Sequence, residues 1–335
     1  MAKRIGKHTV LLENRPSFIG YGSVVGKKEH DGPMGHEFDA YDEDSRFGEE
    51  SYEKAESRLQ KIAVETAMRK AGKCENDIDI VFAGDLLNQC IGSFFGLRSM
   101  QIPLVGIYGA CSTMTLGLSL ASIFVDSGAA NCVAAVTSSH FCSAERQYRF
   151  PLEYGSQRTP TAQWTVTGSG ASIIERAEGK PYINAVTIGK ITDLGVTDAN
   201  NMGAAMAPSS AETLKSYFED TGTTPEDYDI IYTGDLGVVG SEMLYSLMEE
   251  KGYDIRCRHN DCGLKIFDVK GQDVHAGGSG CGCSAAVLNS FVMHRFEDGN
   301  FKNILFMSTG ALMSPTSCMQ GESIPGISHL INIRV

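Results

Sequence analysis

Short apolar runs alternate with stretches of helical spacing along most of the chain. The runs are rich in β-branched and aromatic residues and are bounded by glycine or polar residues, which predicts buried strands. In the first half, strands are predicted at residues 9–12, 18–25, 79–85, 104–108, 132–138 and 165–175.

Between these runs, apolar residues recur at the spacing of a helix. The clearest case is 49–71, in which Leu59 and Ala63 share one face and Gly72 follows as the stop. Further first-half helices are predicted at 88–100 and 112–127. The polar stretches 27–50 and 139–163 are predicted to be an excursion from the core and a long loop.

The second half repeats this order of elements. Strands are predicted at residues 182–190, 229–235, 303–309 and 326–333, helices at 211–220, 238–251 and 278–297, and an irregular excursion at 191–210.

Two direct sequence matches indicate an internal duplication. The stretch 77–86 (DIDIVFAGDL) corresponds to 227–236 (DYDIIYTGDL), and 131–137 (NCVAAVT) corresponds to 303–309 (NILFMST). Two matches in the same order favour a repeat over chance. The extra length of the second copy is assigned to 252–271.

Strands that alternate with helices predict parallel sheets covered by helices on both faces. The helices that begin at Cys111 and at Gly278 are apolar nearly all round, so we expect them to form a buried central pair. The predicted units are an N-terminal half at 1–178, with the excursion 27–50 and the loop 139–163, and a C-terminal half at 179–335.

The composition is that of a globular chain with an acidic balance. The 335 residues include 29 lysines and arginines against 41 aspartates and glutamates, a formal net charge of −12. No basic cluster offsets this charge, so nucleic acid is not an expected partner. Ten scattered cysteines and an N-terminus without an apolar leader core predict reduced thiols in the cytoplasm, and no transmembrane helix is expected.

The sequence YGACSTM at 108–114 carries the first candidate chemistry. Cys111 stands between a predicted strand and a predicted helix. At a helix N-terminus, the dipole and the unpaired amides favour a thiolate and can hold a carboxylate or an oxyanion. A free cysteine is also an ordinary core residue, so a purely structural role stays open.

This arrangement resembles the thiolase and β-ketoacyl synthase superfamily. The features that carry the resemblance are two tandem halves, Cys111 entering the central helix of the first half, and TGSGAS at 167–172 closing that half. The resemblance implies a five-layer αβαβα thiolase-like fold and a homodimer.

Four longer stretches resemble a narrower family, that of stage V sporulation protein AD. They are GIYGACSTM at 106–114, SSHFCSAERQYRFPLEYG at 138–155, QDVHAGGSGCGCS at 272–284 and QGESIPG at 320–326. This resemblance implies a non-catalytic protein that binds dipicolinic acid, or its calcium chelate, during bacterial sporulation. It also implies a peripheral position at the spore inner membrane, beside other stage V sporulation A membrane proteins.

The alternative is a Cys-dependent acyltransferase of the condensing type that uses Cys111. Thiolases add a His in a Gly-His-Pro motif and a Cys in a Cys-x-Gly loop, to which His275 and Cys318 correspond only as remnants. Condensing enzymes with a Cys-His-Asn set carry the Asn just before the second central helix, where this chain has Gly-Gly-Ser at 277–279. The His of that set would have to be His259, so neither set is complete.

Ligand binding requires fewer groups than catalysis. For a planar dianion, the helix start at Cys111, Ser112 and Thr113 is expected to supply amide donors for one carboxylate. Arg146 or Arg149 is expected to clamp the other carboxylate with two parallel hydrogen bonds. The alternative for both arginines is a solvated surface loop.

Aromatic residues of the same segment are expected to stack on the ligand ring. The candidates are Tyr148, Phe150 and Tyr154. His140, next to a predicted strand end, and His275 are further candidates for lining the pocket.

Calcium is the one inorganic partner that the resemblance implies. Asp85 or Glu145 would supply an oxygen to it, although Asp85 and its twin Asp235 also fit a turn or a helix cap. The cysteines and histidine at 257–262 and the cysteines at 281–283 invite a zinc interpretation, but no CxxC pair is present and no metal site is predicted.

Overall fold

The computed structural model describes residues 2–148 and 158–335, and its core is one mixed β-sheet built from two similar sets of strands. The strands are β1 Lys3–Ile5, β2 Thr9–Leu11, β3 Pro16–Gly26, β4 Ala40–Asp42, β5 Ile80–Gly84, β6 Leu104–Gly106, β7 Cys132–Ser139, β8 Trp164–Thr165, β9 Gly168–Arg176, β10 Tyr182–Thr187, β11 Ile230–Thr233, β12 His259–Asp261, β13 Gly278–Ser279, β14 Asn303–Ala311 and β15 Gly326–Arg334.

Helices account for most of the remaining regular structure. They are α1 Lys27–His30, α2 Tyr52–Ala71, α3 Ile91–Leu97, α4 Thr113–Ser127, α5 Phe141–Tyr148, α6 Met202–Thr221, α7 Gly237–Glu250, α8 Cys262–Ile266, α9 Cys281–Val287, α10 Met293–Glu297 and α11 Pro315–Met319. A π-helical turn at Leu288–Val292 joins α9 to α10, so these form one continuous helix.

The two sets of strands have the same internal order. The first runs β6-β5-β7-β9-β3 and the second runs β12-β11-β14-β15-β10, and β3 meets β10 where Ser17 pairs with Tyr182. In each set the first three strands are parallel and the last two are antiparallel additions. The sheets expected to be parallel are therefore mixed, because within the described residues only the short helices α5 and α11 precede β9 and β15.

Helices and strands stack in five layers, as predicted. The α2 and α3 helices cover the outer face of the first set, and α6, backed by α7, covers the outer face of the second. Between the sets lie α4 and α9, which contact each other and strands of both sets. The predicted buried central pair of helices is present in the structure.

The central helix α4 is also the most membrane-like segment of the chain. Within the described residues, Ala110–Ser127 passes a length and hydropathy test for a membrane span, and 72% of that window is buried inside the fold. Its apolar character is that of a core helix packed between two sheets.

The strand β6 differs from its prediction as a buried strand. It lies at the edge of the sheet, and Val105 is 45% exposed. The apolar run of residues 104–108 predicts burial, but an edge strand with apolar side chains gives the same pattern.

Three other segments are more ordered than predicted. The loop assigned to 139–163 contains α5, and the stretch assigned to 252–271 contains β12 and α8. The excursion at 191–210 ends early, because α6 begins at Met202. Its first turns are buried, and the hydroxyls of Ser209 and Ser210 donate to the carbonyl of Met206 across Pro208, so tertiary packing overrides the helix-breaking signal.

Candidate ligand-binding site

A cavity of about 210 Å³ opens where the loops that precede the two central helices meet. It lies at the carboxyl ends of β5, β11 and β14, which end close together because both sets of strands point toward the starts of α4 and α9. Its lining residues are Leu86, Tyr108, Ala110, Cys111, Ala144, Glu145, Tyr148, Ala162, Gln163, Thr165, Ala199, Asn200, Met202, Ser279, Ala311 and Met313.

The loop that carries Cys111 is held in a tight, specific conformation. Ala110 has a φ of 50°, in the left-handed region that a non-glycine residue seldom adopts. Gly310, on β14, lies against this loop, and a Cβ there would be 2.5 Å from the carbonyl oxygen of Gly109. The second half of the molecule therefore supports the cysteine loop of the first half.

The polar groups that follow Cys111 are used inside the loop. The hydroxyl of Ser112 donates to the carbonyl of Gly109 at 2.6 Å, and the hydroxyl of Thr113 donates to the carbonyl of Ala110 at 2.6 Å. The amides of Ser112 and Thr113 donate to the same two carbonyls. Both side chains are fully buried and lie outside the cavity lining. These two residues shape the loop, and their amides are already bonded.

Behind Cys111 lies a buried carboxyl group that the sequence analysis assigned to a turn. Asp235 accepts hydrogen bonds from the Thr309 hydroxyl at 2.6 Å, the Ser279 hydroxyl at 3.1 Å and the Gly280 amide at 2.9 Å. The Cys111 thiol interacts with the same carboxyl group and stabilises its ionised form. Burial raises the pKa of Asp235 to about 7, although these hydrogen bonds stabilise the ionised carboxylate and act in the opposite direction.

Cys111 itself is a protonated thiol at neutral pH. Burial raises its pKa well above the usual value, and the charge of Asp235 together with the hydrogen bond to it adds to the effect. The sequence analysis expected the helix dipole to favour a thiolate, which is the opposite direction. Desolvation and a neighbouring carboxylate outweigh the dipole here.

Two tyrosines form one wall of the cavity. The Tyr108 and Tyr148 hydroxyls are 3.1 Å apart, and the Tyr148 hydroxyl also donates to the carbonyl of Leu86. Gln147 fastens the same turn through its amide, which donates to the Leu86 carbonyl at 2.9 Å. The helix α5 is therefore fixed to the loop after β5, and its tyrosine stands over the cavity.

The described part of the lining contains one formally negative side chain and no positive one. Glu145 is the one formally charged side chain among the described lining residues, and Asp235 lies directly behind Cys111. The described lining contains no lysine or arginine. A free dianion would thus meet carboxyl groups and neutral donors on the surface that the structure describes.

Comparisons with known proteins agree on the family and on the fold. The family model of stage V sporulation protein AD matches residues 6–334. The chain is 44% identical over 328 residues to stage V sporulation protein AD of Bacillus subtilis (strain 168), covering 98% of this chain and 96% of that protein. This chain belongs to the stage V sporulation protein AD family.

Solved structures show the same fold at low sequence identity. The 3-oxoacyl-(acyl-carrier-protein) synthase III of Aquifex aeolicus VF5 matches with a TM-score of 0.60 and 13% identity, over 96% of this chain and 100% of that chain. Cerulenin-bound OleA of Xanthomonas campestris matches with a TM-score of 0.59 and 12% identity, over 97% and 98%. The stage V sporulation protein AD fold is thus the thiolase-like fold of these proteins.

Only some of the residues that sequence analysis assigned to the ligand site lie together in the structure. Cys111, Tyr148 and Glu145 line the cavity. Arg146 points elsewhere and forms an ion pair with Glu53. Arg149, Phe150 and Tyr154 lie outside the described residues, so their predicted roles stay predictions.

The predicted histidines and the second cysteine lie away from the lining. His140 is buried, its Nε2 bonds the carbonyl of Ser45 at 2.8 Å and its Nδ1 accepts from the Cys142 amide, so it is a neutral structural ring. The Nδ1 of His275 bonds the carbonyl of Thr159. Cys318 packs against the second-half core from α11.

His259, the candidate base, is bonded to Thr233 and Tyr245 rather than to Cys111. Its ring nitrogens lie 2.8 Å from the Thr233 hydroxyl and 2.9 Å from the Tyr245 hydroxyl. Burial lowers its pKa to about 3, so it is neutral. The buried group that does contact Cys111 is Asp235, which sequence analysis missed.

The twin aspartates have taken different roles. Asp85 accepts from the Leu87 amide at 2.9 Å and from the Ser93 amide at 2.7 Å, which is the turn and cap role. In the second half Asp261 performs that task, accepting from the Leu236 and Gly237 amides. Asp235 is thereby left to bond Cys111.

No set of three or more histidine, cysteine, aspartate or glutamate side chains suited to a metal ion occurs in residues 2–148 and 158–335. The cysteines of the zinc interpretation are used individually. The Cys281 thiol donates to the carbonyl of Ser138 at 3.0 Å, and the Cys283 thiol donates to the carbonyl of Gly234 at 3.4 Å.

Proposed function

We propose that this protein binds dipicolinic acid, free or as its calcium chelate, in the cavity at Cys111 and that it does so without catalysis. The observation that carries the proposal is the cavity itself, which is small and has apolar walls. Its polar groups are two tyrosine hydroxyls, Gln163, Ser279 and a neutral thiol. Small concave sites with a few converging polar groups suit a small planar ligand.

The electrostatics of Cys111 favour binding over acyl transfer. A thiol acts as a nucleophile through its thiolate and needs a base to form it. Here burial and Asp235 raise the pKa of Cys111, and no histidine belongs to the described lining. A thiol with these neighbours is suited to donating a weak hydrogen bond to a ligand.

Calorimetry with dipicolinate tests the proposal directly. We expect saturable binding, with and without calcium, that weakens at least about tenfold in Cys111→Ala, a loss of about 1.4 kcal/mol. Cys318→Ala is the matched control, because Cys318 is half-buried and lies outside the lining. No heat and no thermal shift in any condition would contradict the proposal.

The acyltransferase alternative makes a different prediction for the same protein. Incubation with an acyl-CoA would add one acyl group to the wild-type chain and none to Cys111→Ala, as seen by intact mass. We expect no adduct on either, because burial and Asp235 raise the pKa of Cys111 and no histidine belongs to the described lining.

We also propose a homodimer formed through the exposed edge of the first set of strands. Large apolar side chains collect there: Ile91, Phe94, Phe95, Val105 and Tyr108 are 42–54% exposed. An exposed apolar edge strand favours pairing with another strand, and a second copy of the chain presents the same edge.

We propose that the protein acts at the spore inner membrane as a peripheral membrane protein. The family supports this placement, and among the described residues the one helix that is apolar enough to span a bilayer is packed inside the fold. Other stage V sporulation A membrane proteins are then the expected partners, and co-purification with them from sporulating cells tests it.

A further inference from the structure

The buried Asp235 lies where an anionic ligand would be most strongly repelled. It has 1% of its surface exposed, its hydrogen-bond partners are all uncharged, and the thiol that separates it from the cavity belongs to Cys111. Two like charges at short range in a poorly polarisable interior repel each other far more than in water.

The titratable neighbours of Asp235 offer no positive charge to offset this repulsion. From β12 and α8 it is faced by Asp261 and Cys262, and from α9 by Cys281 and Cys283. At the cavity wall, α5 contributes Glu145. None of these groups carries a positive charge, and β14 and the loop before α9 offer Asp235 only hydroxyl and amide donors.

We propose that Asp235 makes ligand binding proton-linked: a free dianion enters the cavity together with one proton, which is held by the Asp235–Cys111 pair. The inference rests on the proposed function and names the residue that sets the charge of its site. Asp235 is a positioning residue in this scheme, because it acts through Cys111 and does not line the cavity.

The proton changes the direction of one hydrogen bond. While Asp235 is ionised, the Cys111 thiol donates to its carboxylate. Once Asp235 is protonated, its hydroxyl donates to Sγ, and the thiol proton is free to point into the cavity toward a ligand carboxylate. No bond is broken other than the O–H and S–H hydrogen bonds, and the proton comes from the solvent.

Ionisation of Asp235 near neutral pH makes the effect measurable. Burial raises its pKa to about 7, so Asp235 is mostly ionised at pH 8.5 and mostly protonated at pH 6. Over this range the carboxylates of dipicolinate stay ionised, since ordinary carboxyl groups titrate near pH 4.

The experiment is calorimetry of dipicolinate binding between pH 6 and 8.5, repeated in buffers of different ionisation enthalpy. We expect the uptake of nearly one proton at pH 8.5, little uptake at pH 6, and a Kd that rises up to about tenfold for each pH unit above 7. With saturating calcium the ligand is a neutral chelate, and the proton uptake should disappear.

Variants separate Asp235 from other carboxyl groups. In Asp235→Asn, we expect no proton uptake and a Kd that does not change with pH, whereas Glu145→Gln should keep the pH dependence of the wild type. Thr309→Val removes one hydrogen bond from the Asp235 carboxylate, so the midpoint of the pH dependence should move to higher pH.

The outcomes distinguish this inference from the function on which it rests. Binding with no proton uptake at any pH, or an unchanged pH dependence in Asp235→Asn, would overturn the inference alone. Should Asp235→Asn fail to fold, the unshifted midpoint of Thr309→Val would overturn it instead. Absence of binding at every pH would overturn the proposed function as well.

Discussion

The properties of Cys111 follow from its neighbours and not from its position at a helix start. Burial and Asp235 raise the pKa of the thiol and keep it protonated. The hydroxyls of Ser112 and Thr113 donate to the loop carbonyls of Gly109 and Ala110. A helix start favours a thiolate, whereas this environment is that of a weak hydrogen-bond donor.

Alkylation by iodoacetamide measures this environment. At pH 8 we expect Cys111 to react at least about tenfold more slowly than the exposed Cys74 and Cys257, because thiolate and access are both required. Asp235→Asn should accelerate Cys111 by removing the charge that raises its pKa. Peptide mass spectrometry over time gives each rate, and labelling of Cys111 as fast as Cys257 would contradict the assignment.

A second buried carboxyl group lies under the wall of the cavity. Glu56 accepts from the hydroxyls of Ser143 at 2.6 Å and Ser138 at 3.3 Å, and so fastens α5 to α2. Burial and the neighbouring Asp85 raise its pKa to about 8. A proton on Glu56 therefore stabilises the folded protein.

The pH dependence of stability follows from that raised pKa. An unfolded Glu56 ionises near pH 4.5, so between pH 4.5 and 8 the folded state holds a proton that the unfolded state has lost. The folded state therefore loses stability as pH rises through this window, by about 1.4 kcal/mol for each pKa unit of difference.

Glu56→Gln should abolish this loss. We expect its stability relative to wild type to increase between pH 5 and 8 and then level off, as measured by urea denaturation at pH 5, 7 and 9. Glu65→Gln, on the solvent side of the same helix, is the control and should show no such trend. A parallel trend in both variants would contradict the role of Glu56.

At the scale of elements, the helices and strands that carry a regular pattern were predictable. The α2 helix and its stop at Gly72, the α4 helix and most strands of both halves follow from spacing and from the duplication. The start of α6 was not, because Pro208 lies in a turn that only tertiary burial makes helical. The exposure of β6 depends on sheet order, which a single strand does not encode.

The site was predictable in part for the same reason. Cys111 was visible as the residue between a strand and a helix, whereas Asp235 resembled its twin Asp85. Only the three-dimensional structure shows that Asp261, from the same half as Asp235, has taken over the cap, which leaves Asp235 beside Cys111 of the other half. Sequence repeats identify equivalent positions, and a three-dimensional contact between halves decides their roles.

The contact of β14 with the cysteine loop can be tested by one added methyl group. The Cβ of Gly310→Ala would lie 2.5 Å from the Gly109 carbonyl oxygen and 3.1 Å from the Ser112 amide nitrogen. Because both are backbone atoms, the loop must move. We expect a loss of about 1–3 kcal/mol of stability and at least tenfold weaker dipicolinate binding, measured by thermal unfolding and calorimetry.

Gly117→Ala is the matched control for that substitution. Its Cβ would meet the Cδ1 of Ile107, the end of a flexible side chain, at 3.2 Å, and alanine favours the helix. Binding should be unchanged in this variant. Unaltered binding in Gly310→Ala would show that the cysteine loop does not define the site.

At the scale of the molecule, the cavity and the proposed dimer surface meet at one residue. Tyr108 lines the cavity and is also 46% exposed beside the β6 edge. Its hydroxyl bonds Tyr148, which in turn fastens α5 to the loop after β5. A second copy seated on this edge would cover Tyr108 and restrict that wall of the cavity.

The oligomeric state is therefore the measurement that connects this surface to the site. We expect wild-type protein to sediment as a dimer and Phe95→Glu to sediment as a monomer, because a buried carboxylate in the centre of an apolar interface is costly. Leu194→Glu is the control: Leu194 is 66% exposed in the loop before α6, outside the exposed edge of β6, and its replacement should leave the dimer intact. Because a dimer contact at this edge would also fix the position of Tyr108, Phe95→Glu should weaken dipicolinate binding without lowering the unfolding temperature of the subunit. A wild-type monomer would contradict the proposed dimer, and a Phe95→Glu dimer would place the interface elsewhere. Either result would leave Tyr108 exposed to solvent.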